Sequence, residues 1–135
     1  MKKKNCSGLS LLGQGKTVYP TSPDQAALES FPNPKPGRTY WITLDCPEFT
    51  ALCPITGQPD FGHLTIAYIP NKRCVESKAL KLYLGSFRNH GAFHEAVTNQ
   101  ILDDLVKAVK PRKARVTGVF NRRGGIAITV VAETP

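Results

Sequence analysis

At 135 residues and 14.8 kDa the chain has the length of one domain. Its 41% hydrophobic and 21% charged residues describe a globular chain rather than a disordered one. No run approaches the ~18–20 apolar residues of a membrane span, and Leu9 to Leu12 is too short for the core of a secretory signal; a cytoplasmic protein without membrane contact is therefore expected. Eighteen Lys and Arg against ten Asp and Glu leave a net charge of +8, which favours an anionic partner such as a phosphorylated cofactor, a nucleic acid or an acidic surface without choosing among them.

Residues 1–37 read as a loosely structured N-terminal arm. The run Lys2-Lys3-Lys4 reads as a solvated tail, and Phe31-Pro32-Asn33-Pro34-Lys35-Pro36-Gly37 can form neither a helix nor an inner strand. A folded domain is expected over 38–135. Thr39 to Leu44 is β-branched and aromatic, a strand; His63 to Ile69 alternates with period two, a second strand. The stretch between them, Phe49 to Gly62, reads as an unusually long and apolar loop. From Ser77 to Phe87, Leu80, Tyr83, Leu84 and Phe87 recur at helical spacing, with Ser77 available as a cap. Leu82 falls among the basic residues of that helix, which suggests apolar surface for a neighbouring subunit. A second helix runs from about Phe93 to Val109, stopped by Pro111, with Val97, Ile101, Leu102, Leu105, Val106 and Val109 on one face. Two strands, Arg115–Phe120 and Ile126–Val131, close the chain around Gly124-Gly125, placed where a tight hairpin needs positive φ. The order β-β-α-α-β-β implies an α+β domain: one antiparallel sheet with two helices on one face.

Residues that break their local pattern are the candidates for chemistry. His94 and Glu95 project onto the apolar arc of the second helix, where a carboxylate is costly unless paired. The loop carries a thiol and a carboxylate, Cys53 and Asp60, seven residues apart: a strong nucleophile and a group able to manage protons. Lys78 and Lys81 stand three apart at a helix start, where they can grip phosphates. Four cysteines, at 6, 46, 53 and 74, form no CxxC pair, and the combination of Cys46, Cys53, His63, His90 and His94 matches no standard zinc spacing, so no metal site is expected. Neither a dinucleotide-binding glycine fingerprint nor a phosphate-binding loop motif is present.

Several ordered blocks carry a family resemblance. Glu76-Ser77-Lys78-Ala79-Leu80-Lys81-Leu82-Tyr83 resembles the signature stretch of the NADPH-dependent 7-cyano-7-deazaguanine reductases, the nitrile reductases of queuosine (tRNA modification) biosynthesis. The likeness continues through Cys46-Pro47-Glu48-Phe49-Thr50, Cys53-Pro54, Thr56-Gly57-Gln58-Pro59-Asp60-Phe61, Ser86-Phe87-Arg88-Asn89-His90-Gly91, Phe93-His94-Glu95 and Arg123-Gly124-Gly125. It spans roughly residues 28–131 and is similar to the short, single-module form of the family. The resemblance implies the tunnelling fold, whose order is the one read above, and assembly into subunit rings with sites at the interfaces. It further implies Cys53 as the nucleophile of a covalent thioimide and Asp60 as proton donor. Val75, Glu76 and Ser77, with His94 and Glu95, would hold the deazaguanine substrate. The basic Lys78, Lys81 and Arg123 would serve NADPH, two molecules per turnover.

A nitrile carbon is a weak electrophile, and adding a thiolate converts it to a C=N that hydride can reach. This requires a lowered thiol pKa and a proton for the nitrogen. Two other readings stand beside this one: a zinc-dependent cyclohydrolase-like enzyme on the same fold, and a non-catalytic basic RNA-binding module. Aromatic residues make up only 8% and do not alternate with the basic ones, which counts against direct nucleic-acid binding.

Overall fold

The computed structural model describes residues 8–12 and 17–135; the lysine run 2–4 and Cys6 lie outside the described residues. The elements are β1 (Ser30–Pro32), β2 (Ile42–Leu52), β3 (Pro59–Ile69), β4 (Arg73–Val75), α1 (Ser77–Gly85), α2 (His94–Val109), β5 (Lys113–Arg123) and β6 (Ile126–Glu133). β2, β3, β5 and β6 form one antiparallel sheet in that order, and the short β1 and β4 pair separately. β1 is an edge strand, the place where Pro32, lacking an amide hydrogen, is tolerated.

Both helices lie on one face of the sheet. α2 crosses β5 and β6 and α1 touches β2. Leu64, Ile66 and Tyr68 of β3 and Val116 and Phe120 of β5 face Val97, Ile101 and Leu105 of α2, each of them 3% exposed or less. The period-two and helical patterns of the sequence therefore meet in a single core. α2 ends where Lys110 turns left-handed (φ 45) ahead of Pro111.

Several boundaries differ from the sequence reading. The segment Phe49 to Gly62 is not a long loop: β2 continues to Leu52, β3 begins at Pro59, and only residues 53–58 connect them. The interruption in hydrophobic period that disguised β2 is a β-bulge. Cys46 pairs with Leu64 but Phe49 with Gly62, so β2 gains one residue around Pro47-Glu48. Helix α1 is capped by Glu76, not Ser77: both carboxylate oxygens accept amide hydrogens, from Lys78 and Ala79, each at 2.8 Å. Leu82 is 2% exposed within its own chain, so it offers no surface to a neighbour. Exposed apolar side chains lie elsewhere, among them Phe61, Val119 and Val131 of the helix-free face and Ile126 and Ile128 of β6.

Candidate active site

The bulge in β2 decides where Cys53 sits. Before it, Ile42, Leu44 and Cys46 face the core; after it the phase flips, and Phe49 and Ala51 do. Cys53, two residues beyond Ala51, inherits the inner face. Asp60 pairs directly with Ala51 and also faces inward, which brings the thiol and the carboxylate to one end of that face.

A second bulge does the same for Arg123. Phe120 pairs with Ile128 but Arg123 with Ile126, so β5 carries one extra residue. Without it Arg123 would follow Val119 onto the outer face; with it the guanidinium turns inward and Nη1 donates to Asp60 Oδ1 at 2.9 Å. The hairpin that follows turns through Gly124 and Gly125, at φ 59 and 80, a conformation only glycine adopts cheaply.

The start of α2 closes the third side. Leu52 accepts from the Ala92 amide and donates its own to the His90 carbonyl, each at 3.0 Å, which pins the chain entering α2 to the end of β2. Gly91 passes so close to Pro54 that a Cβ would stand 3.1 Å from the proline Cα. His94 is buried and stacks on Phe120 with ring centroids 4.0 Å apart at 12°. Phe120 itself lies between Gly62 and Gly118, whose hydrogens leave it room: a Cβ at either would meet its ring at 2.8 or 2.7 Å.

These elements enclose a cleft of about 330 Å³ bordered by Cys53, Asp60, His94, Glu95, Arg123 and the two isoleucines of β6. Cys53 is 7% exposed. Its thiol is held down to about 7, chiefly by the Thr56 hydroxyl, then by the Thr56 and Ile55 amides; burial opposes them and Arg123 adds a smaller favourable contact. Burial pushes the Cys46 thiol the other way, with Asp45 adding to the rise. Asp60 is 5% exposed, so a lone charge there would be costly; Arg123 supplies the compensation.

Of the residues singled out in the sequence, Cys53, Asp60, His94, Glu95 and Arg123 come together in one cleft. Glu95 differs from its expected burial: it is exposed, at the rim, in the first turn of α2 where the helix dipole favours an anion. The segment Val75-Glu76-Ser77 lies apart from Cys53 and borders a second cleft with Leu9, Leu12, Phe31 and Arg73. Lys78 and Lys81 also stand outside the Cys53 cleft. The Lys78 ammonium donates to the Leu11 carbonyl at 3.0 Å, and Lys81 lines a shallow hollow with Glu48 and Arg88. The sequence reading missed Thr56, Ile126 and Ile128. Thr56 was hidden in the apparent loop; the isoleucines read as ordinary strand residues, and only their exposure on the inner face beyond the end of α2 marks them. Among the described residues no three His, Cys, Asp or Glu side chains gather as a metal-binding group; His63 pairs with Asp45 on the outer face. No helix among them is long and apolar enough to cross a membrane.

A thiol held near neutrality, a buried carboxylate and a guanidinium thus share one cleft. The family model of the QueF-like proteins matches residues 59–135. The chain belongs to this family. Over 113 residues it is 59% identical to the NADPH-dependent 7-cyano-7-deazaguanine reductase of Anaeromyxobacter sp. (strain K), covering 84% of this chain and 92% of that one. Proteins of the same name from Thiobacillus denitrificans and Bacteroides thetaiotaomicron are 60% and 57% identical, over 84% and 89% of this chain and 81% and 79% of theirs. Among solved structures, the apo archaeosine synthase QueF-Like superposes with a TM-score of 0.65 at 26% identity, covering 70% of this chain and 92% of that one. The α+β architecture with two helices on one face of an antiparallel sheet is the tunnelling fold of this QueF-like family.

Proposed function

We propose that this chain is an NADPH-dependent nitrile reductase that converts 7-cyano-7-deazaguanine to its 7-aminomethyl product, through a thioimide on Cys53. The observation that carries the reading is the Cys53 thiol, held near 7 in a base-sized cleft beside a buried carboxylate. Relatives 57–60% identical bear the corresponding name.

Addition of Cys53 to the nitrile forms an S–C bond, opens one C–N π bond and places the thiol proton on nitrogen. The electrophile gains nothing from a neutral thiol, so the Thr56 hydroxyl and its neighbouring amides, which favour the thiolate, assist directly. Asp60 lines the same cleft as the sulfur and carries protons to and from nitrogen. Glu95, at the rim, accepts the two adjacent N–H groups of a guanine-type edge. His94, stacked on Phe120, is held in one orientation to meet the same base. Ile126 and Ile128 supply apolar surface for the ring, and by excluding water they protect an imine between the two reductions.

NADPH, when bound, supplies the hydrides, two for the four-electron reduction of nitrile to amine. Its phosphates need cations, and the chemistry of Lys78, Lys81 and Arg123 fits that need. In one chain these side chains do not converge: only Arg123 reaches the Cys53 cleft. The Val75–Ser77 segment is likewise remote, and the Glu76 carboxylate is fully engaged by the α1 cap, leaving its backbone, Val75 and Ser77 for contact with a base. A site completed by α1 of a second copy accommodates both facts, so we place the active centre between subunits. Sedimentation that finds a fully active monomer refutes this arrangement.

The deciding test mixes the protein with 7-cyano-7-deazaguanine without NADPH. Intact mass rises by one substrate, and Cys53→Ala abolishes the gain. A wild-type protein that consumes NADPH with the nitrile but forms no adduct refutes the covalent route; one that does neither refutes the reading.

A further inference from the structure

We propose that Arg123 is a positioning residue for the covalent step: it orients the Asp60 carboxyl group in the Cys53 cleft, so that Asp60 receives the thiol proton and passes it to the nitrile nitrogen. The inference rests on the nitrile-reductase reading and gives Arg123 a task before any cofactor arrives.

The geometry supports it in three ways. Arg123 is aimed at Asp60 by a bulge that costs β5 its regular register, and a solvent-directed phosphate ligand would need no such device. The pair is asymmetric: the Asp60 side chain is 5% exposed and that of Arg123 40%, so the buried member depends on the other for compensation. Among the described residues Arg123 is the one hydrogen-bond donor to the Asp60 carboxylate, and it engages only Oδ1, leaving Oδ2 for a proton. The same guanidinium is among the groups that favour the Cys53 thiolate.

The step balances without an outside acid. The proton leaves sulfur for Asp60, the S–C bond forms as a C–N π bond opens, and the proton moves from Asp60 to nitrogen. Asp60 ends as it began, a carboxylate paired to Arg123, and nothing is oxidised or reduced. A protonated Asp60 could not accept the thiol proton at the outset. The titratable or charged groups facing this centre are Cys53 from the turn, Asp60 from β3, His94 and Glu95 from α2 and Arg123 from β5; β6 contributes only isoleucines.

The test is the rate of adduct formation with 7-cyano-7-deazaguanine in the absence of NADPH, followed by intact mass from about pH 5.5 to 9. It compares wild type, Arg123→Ala, Arg123→Gln and Arg123→Lys. Loss of the guanidinium in Arg123→Ala and Arg123→Gln leaves the buried Asp60 side chain without its partner and its aim, and slows capture at pH 7 by roughly tenfold or more, the order expected when a positioned proton relay is disturbed. Arg123→Lys, which keeps the charge, recovers most of the rate. Should Arg123→Ala fail to fold, Arg123→Gln and Arg123→Lys carry the comparison. Capture in Arg123→Gln with the wild-type rate and profile, alongside a raised NADPH KM, overturns the proposal and leaves Arg123 a cofactor ligand only. Absence of any adduct in the wild type is a different result, and strikes the covalent reading itself.

Discussion

Replacing Thr56 by valine removes the hydroxyl that does most to hold the Cys53 thiol near 7, while the Thr56 and Ile55 amides and Arg123 remain. With its thiol at about 7, Cys53 is half ionised at pH 7. Losing the leading contribution carries the midpoint about one unit toward the ordinary thiol value of ~8.5, and the thiolate fraction at pH 7 falls to roughly a tenth. The assay is alkylation by iodoacetamide across a pH series, read by mass spectrometry on the peptide that contains Cys53, because Cys6, Cys46 and Cys74 also carry thiols. Thr56→Ser is the control: the Thr56 hydroxyl also accepts from the Gln58 amide at 3.2 Å, and serine preserves both contacts. A valine variant whose Cys53 still titrates near 7, with the turn intact, refutes the account of how this sulfur is activated.

Adduct formation by the wild type falls as the pH rises above about 7, because the thiol proton that ends on the nitrile nitrogen is then lost from sulfur; a rate that climbs through that range and levels, measured by mass, contradicts this. Glu95→Gln weakens nitrile binding by ~1–3 kcal/mol, the worth of a hydrogen bond to a charged group, measured by calorimetry on a Cys53→Ala background so that capture does not intervene; unchanged affinity removes Glu95 from base recognition. The double change Lys78→Ala and Lys81→Ala raises the NADPH KM and leaves adduct formation intact, whereas loss of the adduct assigns these lysines to the base pocket or the fold. Glu76→Ala loses both amide bonds of the α1 cap and lowers stability by ~1–2 kcal/mol, visible as a lower urea midpoint at unchanged slope.

The elements were legible because their hydrophobic periods are clean. Val97, Ile101, Leu102, Leu105 and Val109 lie on one buried stripe, and Leu64, Ile66 and Tyr68 alternate without a break. What stayed hidden was the extension of β2 and β3 toward each other. Pro47, Pro54 and Pro59 all read locally as breakers, yet Pro47 sits at a bulge and Pro59 opens a strand, positions where a missing amide hydrogen does little harm. A single inserted residue reverses which side chains face inward, and nothing local in Cys46-Pro47-Glu48 announces it. The Arg123–Asp60 pair was invisible for the same reason: the partners stand 63 residues apart and meet only through a second bulge. Leu82 misled because helical projection ranks neighbours around one axis, whereas burial depends on everything that folds over it.

His94 owes its orientation to a benzene ring, and that ring owes its berth to the two bare α-carbons at 62 and 118. Neither glycine belongs to the cleft, and neither has an unusual φ, so an alanine would be acceptable to the backbone at both. It would nonetheless shove Phe120 aside and tip the imidazole away from its bed. Sequence drift at these positions can thus silence the enzyme while sparing every group that handles substrate, and a search for inactivating variants that looks only at pocket walls would pass over them.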